Sequence, residues 1–512
     1  MLVKAVSAAP VALILGILIG DYLGPSPSHL FLFGVAIFGS LAGILFLSSP
    51  RDKSTSWPDA VSFLALSVLL TIVFMGVSVE QRSLNGLENW SLQDAVTKRS
   101  EVTLWGSVVD DPHGSRWTTE ARVRVDKARL NQSGAQPFDV NRIIAVRAEA
   151  SAARRLVVLS AGDGVVLRGW LHPLAGYDRY LRWFHVAAVI VATDLVSASR
   201  PKSLVYLVAN KSRDLVLDGT ADLSSKPRAL MAGFLLGDTR DIDPEVINEF
   251  RSSGLSHLLA VSGSNVAFVL VLVGPLVSRF PRLIRLGAIF LVLIIFGAMT
   301  RWEPSVLRAC AMAACAVFAA YIGRPARGVR LLGIAVFLLL LADPFLLHSV
   351  GFLLSVGASL GICLLAPIIA LWLRGPNWFR LAFATTAAAQ IGVAPVLLVV
   401  FGSIPLVSIP ANLLAVPLVG PLTVWGLASG VASGLINLPA PDLAGALQWP
   451  TEVLAEAILG IANLTSQIPI DLSLPAVIGG LVIGGLFALG RSALRALRRR
   501  MIRERELVLP SR

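Results

Sequence analysis

Twelve apolar runs dominate this chain, and they leave few folds open to it. Three precede residue 80, at 5–22, 29–48 and 59–79. Nine more follow at 256–278, 283–300, 305–322, 329–342, 349–373, 381–401, 408–437, 450–467 and 474–491. Several approach the roughly 20 residues that a helix needs to cross a bilayer. With 55% hydrophobic and 15% charged residues the chain is too apolar for a soluble globular protein. The fold class expected is a polytopic α-helical membrane protein with an inserted extracytoplasmic small β (OB-like) domain. The runs at 329–342 and 450–467 are short or interrupted, which suits tilted or half-buried helices. The first run is followed closely by others and reads as a retained anchor rather than a cleaved leader. Cys310, Cys315 and Cys363 lie in apolar runs and imply no disulfide framework.

Charged links orient the spans. Arg51 and Lys53, Arg279/Arg282/Arg285, Arg324/Arg327/Arg330, Arg374/Arg380 and the seven arginines of Arg491–Arg505 fall on alternate links. Placing them all in the cytoplasm puts both termini inside and residues 80–225 outside. The same rule accounts for the net charge of +12 without a nucleic-acid partner.

The division expected is 1–80, N-terminal membrane helices; 81–199, an OB-like β domain; 200–255, amphipathic surface helices; 256–492, the main membrane domain; and 493–512, a basic tail. VTLWGSVVDD, TEARVRVDKARL, RIIAVRAEA and DGVVLRGWL alternate apolar and polar residues between turn signals, as half-buried strands do. OB barrels commonly hold single strands with basic grooves and stacking aromatics. Residues 101–195 carry twelve Lys and Arg against ten Asp and Glu, too balanced for a strong electrostatic footprint. GYDRYLRWFH mixes both residue types, so Tyr177, Arg179, Tyr180, Arg182 and Trp183 are the candidates for DNA contact. In the next segment Asp243–Pro244 marks a helix start and Gly254 its stop. That helix suits a guide toward the membrane or a packing brace.

Polar residues inside the apolar runs, with Asp343 just past the end of one, outline a candidate pathway. They are His257, Ser262, Gly263, Asn265, Arg308, Asp343, Ser355, Gln390 and Asn412. Each also has a plainer role: an interfacial histidine, small residues and Asn joining helices, an arginine snorkelling or paired with Glu303, an Asp capping the next helix. Pro395, Pro405, Pro410, Pro417 and Pro421 predict at least one discontinuous span, tolerated where it lines a cavity or is buried in protein.

Hydrolytic chemistry has no visible constellation. The six histidines are scattered singly, no Cys or His cluster has metal-ligand spacing, and no G-x-x-x-x-G-K-[ST] phosphate loop occurs. His257 and Ser262 are five residues apart, a poor spacing for a nucleophile–base pair on one helix face. No enzyme activity and no cofactor are expected.

Five blocks carry a resemblance to the ComEC family of competence channels. They are AGDGVVLRGWLHP, FLLGDTRDIDPEVINEFRSSGLSHLLAVSGSNV, EPSVLRACAM, DPFLLHSVGFLLSVGA and, more weakly, PLVSIPANLLAVPLVGP. Order and spacing agree over roughly residues 30–490. The resemblance implies an inner-membrane channel that passes single-stranded DNA into the cytoplasm during transformation. It places His257, Ser262, Gly263, Asn265, Arg308, Asp343, Ser355 and Asn412 on motif positions. The partners it implies are single-stranded DNA, the lipid bilayer, a DNA receptor, a separate nuclease and a cytoplasmic ATPase or helicase. Two departures stand out. Ser262–Gly263–Ser264–Asn265–Val266 has Asn where the family signature often has His, so hydrogen bonding is kept and a titratable ring is lost. The H-x-H-x-D-H motif of the family's metallo-β-lactamase-like domain is absent, so the channel core alone is expected. A permease for another substrate and a non-transporting membrane assembly factor are the alternative readings.

Overall fold

The computed structural model describes residues 2–25, 57–88, 90–114, 117–131, 135–436, 441–468 and 471–473. The predicted spans at 29–48 and 474–491 and the basic tail lie outside the described residues. Among them, seven helices are long and apolar enough to cross a membrane, which makes this a multi-pass membrane protein. They fall in α2 (Trp57–Glu88), α8 (Gly263–Val277, with the turn before it), α9 (Arg282–Met299), α10 (Pro304–Tyr321), α12 (Val350–Trp372), α13 (Asn377–Phe401) and α14 (Ser408–Ile436). α1 (Leu2–Leu23) and α11 (Gly328–Ala342) contribute shorter apolar stretches. At 15 residues α11 is about 22 Å long, less than the bilayer core of about 30 Å. The interrupted run at 450–467 belongs to a longer helix, α15 (Pro441–Ser466), which carries Asp442, Glu452 and Glu456.

Between α2 and the later helices the chain forms a β barrel. After a short helix, α3 (Gln93–Thr97), the strands are β1 (Glu101–Val108), the two-residue β2 (His113–Gly114), β3 (Thr118–Leu130), β4 (Phe138–Glu149), β5 (Gly164–His172) and β6 (Val186–Ser199). The sheet runs β1-β5-β6-β4-β3-β2 and closes through β1–β3. β4 and β6 pair in parallel, every other pair is antiparallel, and α4 (Ala150–Leu156) lies between β4 and β5. That is the OB-like topology expected, with β6 as the fifth strand of the barrel. β6 was not singled out in sequence, because VAAVIV is a continuous apolar run without alternation. Val102, Leu104, Val123, Val125, Ile144, Leu167 and Ile190 fill the interior. At Gly106, where the β1–β3 register shifts, a Cβ would collide with the Arg124 carbonyl, so the barrel bends where no side chain exists.

α5 (Leu204–Gly219), α6 (Ser225–Leu236) and α7 (Pro244–Ser252) lead from the barrel into the membrane helices. The Asp243 carboxylate accepts from Glu245 N at 3.0 Å, and Gly254 takes φ +71° just past the helix end. Leu230, Phe234, Phe250 and Leu255 are buried in one cluster with Ala411, Leu422, Ala455 and Ile458 of α14 and α15. α6 and α7 thus bury their apolar faces against α14 and α15.

The proline expectation needs correcting. α13 runs unbroken through Pro395, and α14 through Pro417 and Pro421. Proline is tolerated inside membrane helices more readily than inside soluble ones. The break falls between these helices, where Ser403–Pro405 (β7) pairs with Asp471–Ser473 (β8), and also ahead of α8. There Ser256–Leu258 form a 3-10 turn and helix resumes only at Gly263.

Candidate functional site

The break before α8 brings several of the candidates together. Ser262 stands at the helix start in extended conformation, with no side-chain cap bond to the helix backbone. Its Oγ lies 2.5 Å from Ser264 Oγ and donates to Asn265 Oδ1 at 3.2 Å. Asn265 is fully buried, and its Nδ2 donates to the Phe234 carbonyl at 2.7 Å, tying α8 to the end of α6. Ser305 Oγ donates to the Val261 carbonyl at 2.8 Å, tying the same break to α10.

Arg308 completes this group. It is 8% exposed and lies one turn into α10. Its guanidinium donates to Ser359 Oγ on α12 and approaches Met312 Sδ at 3.8 Å, while Nε has no partner among the described residues. Nη2 packs so closely on Gly263 that a Cβ there would overlap it. The expected pairing with Glu303 does not occur. Glu303 Oε1 instead faces the turn at Gly237, and Arg308 has no carboxylate partner among the described residues. A buried cation beside the positive end of a helix, with no counter-charge, is costly unless an anion or water meets it. Ser359 was missed in sequence. The signal available was its position one turn beyond Ser355, on the same helix face.

The other candidates lie elsewhere. His257 is exposed on the 3-10 turn. Asn412 is buried, but its Nδ2 donates to the Ser408 carbonyl of its own helix at 2.7 Å. Gln390 is half-buried on α13 and Ser355 half-buried on α12. Asp343 caps the 3-10 turn Pro344–His348 through Phe345 N at 3.0 Å and faces His185 Nε2 of the barrel at 2.9 Å. In the 3-10 segment Gly176–Phe184, Tyr177 is 84% exposed and stands edge-on to Tyr180, with Arg179 exposed beside them. Trp183 instead stacks on His348 at 3.5 Å, and Arg182 covers that indole and approaches Asp21 at 3.6 Å. Within this segment the outer aromatics are thus solvent-exposed, while Trp183 packs on Phe345 and His348 and seats the barrel on the membrane helices.

A second junction was not legible in sequence. Arg213 on α5 is almost fully buried. It donates to the carbonyls of Leu236 at 2.7 Å and Met299 at 2.6 Å, and to Asp111 Oδ2 of the barrel at 2.8 Å. Arg301 reaches Asp111 Oδ1 at 2.7 Å and Asn210 Oδ1 at 2.7 Å. Asp238 of the GDTR run approaches Arg213 at 3.5 Å and accepts from Arg240 Nε at 2.8 Å. Burial would raise the Asp111 pKa, but the guanidiniums of Arg213 and Arg301 outweigh it and hold the carboxyl below its ordinary value. Asp111, Arg301, Asp343 and Asp21 all meet partners that link barrel to membrane helices, so these helix ends share one side. The arginine links at 279–285, 324–330 and 374–380 follow the opposite ends of α8, α10 and α12.

These features define a class: a helical membrane protein with an OB-like barrel seated on one side and a polar, arginine-bearing break between its helices. The model of the family described as Competence protein matches residues 234–499, and the chain belongs to that family. It is similar to ComE operon protein 3 of Bacillus subtilis (strain 168), 26% identical over 52% of this chain and 34% of that protein. It is also similar to the uncharacterized protein YcaI of Escherichia coli (strain K12), 29% identical over 38% of this chain and 28% of that protein. The matched part thus spans about a third of each relative. No solved structure matches the chain.

Proposed function

We propose that this protein is an inner-membrane channel that passes single-stranded DNA into the cytoplasm during transformation. The observation that carries the reading is Arg308, a buried guanidinium without a carboxylate partner among the described residues, set against the start of α8. A passing phosphodiester is an anion of suitable charge and geometry for a planar donor. The Competence family and the OB-like barrel support the same reading, with Tyr177, Arg179 and Tyr180 offered to bases outside the membrane. His257, Ser262, Gly263, Asn265, Asp343, Ser355, Gln390 and Asn412 remain pathway positions in this proposal. A receptor would deliver DNA, a separate nuclease would remove the other strand, and a cytoplasmic ATPase would draw the strand inward. Transformation of a deletion strain with and without the gene tests it: uptake should be lost without the gene and restored when the gene is returned. Unchanged uptake would reject the channel.

The orientation proposed places the barrel outside and both termini in the cytoplasm, because the arginine links then lie inside. In intact cells a membrane-impermeant thiol reagent should label Ala135→Cys in the polar NQSGAQ link and leave Leu509→Cys unlabelled until the cells are opened. The reverse pattern would invert the arrangement. A second expectation concerns DNA cleavage. The purified protein should leave DNA intact in added zinc or manganese, since no metal-binding group of His, Cys, Asp or Glu occurs among the described residues. Metal-dependent cleavage abolished by replacing a single histidine would contradict it.

A further inference from the structure

Among the described residues, Glu80 on α2 is a buried carboxylic acid whose charge nothing nearby meets. It is fully buried, and neither carboxyl oxygen has a hydrogen-bond partner among the described residues. Gly20 of α1 makes room for it: a Cβ on Gly20 would stand 2.9 Å from Glu80 Cβ. Gln81, beside it in sequence, donates to the Gly20 carbonyl at 2.7 Å and locks the two helices in this register.

The charged groups within electrostatic reach of Glu80 are Asp21 of α1, Asp343 at the end of α11, and Arg182 of the barrel. His348 approaches Asp21 at 3.5 Å, and His185 meets Asp343 at 2.9 Å. Burial holds the His348 imidazole below its ordinary pKa despite the pull of Asp21. The junction therefore has two carboxylates already drawn to barrel or turn residues, and Arg182 as its permanent cation. A third, unsolvated carboxylate would add a charge with no donor to meet it, which costs several kcal/mol in a dry site. A proton removes that charge.

We propose that Glu80 is a proton-binding site at the junction of α1, α2 and the barrel, and that loss of its proton loosens the seating of the Arg182–His185 turn on the membrane helices. The ligand is the proton itself. The three acidic side chains would repel once Glu80 ionised, and the contacts that share them are Arg182–Asp21 and His185–Asp343. The proposal stands apart from the nature of the cargo, so failed transformation assays leave it intact.

The test uses the full chain in lipid nanodiscs. Infrared difference spectra of wild type against Glu80→Gln at neutral pH should contain a protonated-carboxyl band that the variant lacks. Hydrogen-exchange protection factors of residues 176–185 should fall by tenfold or more in wild type as the pH is raised into the alkaline range. In Glu80→Gln, which cannot ionise, protection should stay level. Should Glu80→Gln not accumulate, Glu80→Met supplies the same comparison. Absence of the band, or equal pH dependence in wild type and variant, would overturn the proposal.

Discussion

Arg213→Leu should cost about 3–5 kcal/mol and loosen the barrel from the membrane helices, because it breaks a buried ion pair and leaves Asp111 Oδ2 without its donor, with Arg301 still on Oδ1. The change also leaves the Leu236 and Met299 carbonyls without the donor that now meets both. Arg240→Leu is the control. Arg240 also pairs with Asp238, but its side chain is 35% exposed, and its loss should cost less than about 1 kcal/mol. Thermal unfolding in detergent, together with protease cleavage between barrel and α5, measures both. Equal effects of the two substitutions would remove Arg213 from its central place. The pH dependence follows from Asp111, whose folded pKa lies below its unfolded value. Its contribution is present above the unfolded carboxylate range and is lost as pH falls through the lower folded value. Asp111→Asn should therefore be less stable than wild type at neutral pH, and the gap should close in acid.

Arg308→Leu has the largest expected effect on transport. If Arg308 meets the passing strand, its loss should reduce transformation by about tenfold to a hundredfold, the worth of a charge-assisted hydrogen bond of roughly 1.5–3 kcal/mol. The protein should still reach the membrane, because the side chain has no carboxylate partner among the described residues to leave stranded. Arg308→Lys separates charge from shape. It keeps the cation but loses the planar fork that now reaches Ser359 Oγ and lies against Gly263. Recovery by lysine would assign the effect to charge alone. Asn265→Leu should also lower uptake, but with a stability cost, since Asn265 Nδ2 holds the Phe234 carbonyl. Transformation frequency normalised to membrane-inserted protein decides the matter. Normal uptake in both Arg308→Leu and Asn265→Leu would make the two residues packing features.

The sequence by itself determined the class of this protein. Apolar runs of bilayer length can only be helices in lipid, since a helix satisfies its backbone internally. Alternation over 102–111, 119–130 and 142–150 can only line a half-buried sheet. Arg308 and the SGSN run were visible for the same reason, as polar groups where apolar ones belong. What tertiary structure decided was which of these groups meet. Arg308 and Gly263 touch across 45 residues of chain, and Asp111 and Arg213 are separated by 102. Spacing along the chain carries no information about such pairs. Asp343 and Asn412 looked equivalent to Asn265 as polar residues in apolar runs. Packing sent one to the barrel's His185, turned another back on its own helix, and set Asn265 alone beside the break at α8. Glu80 was passed over as the first residue past the apolar run at 59–79, because only the close approach of α1 at Gly20 removes its water. Periodicity reports what one element does to its own faces. Burial and pairing depend on the second element that covers them.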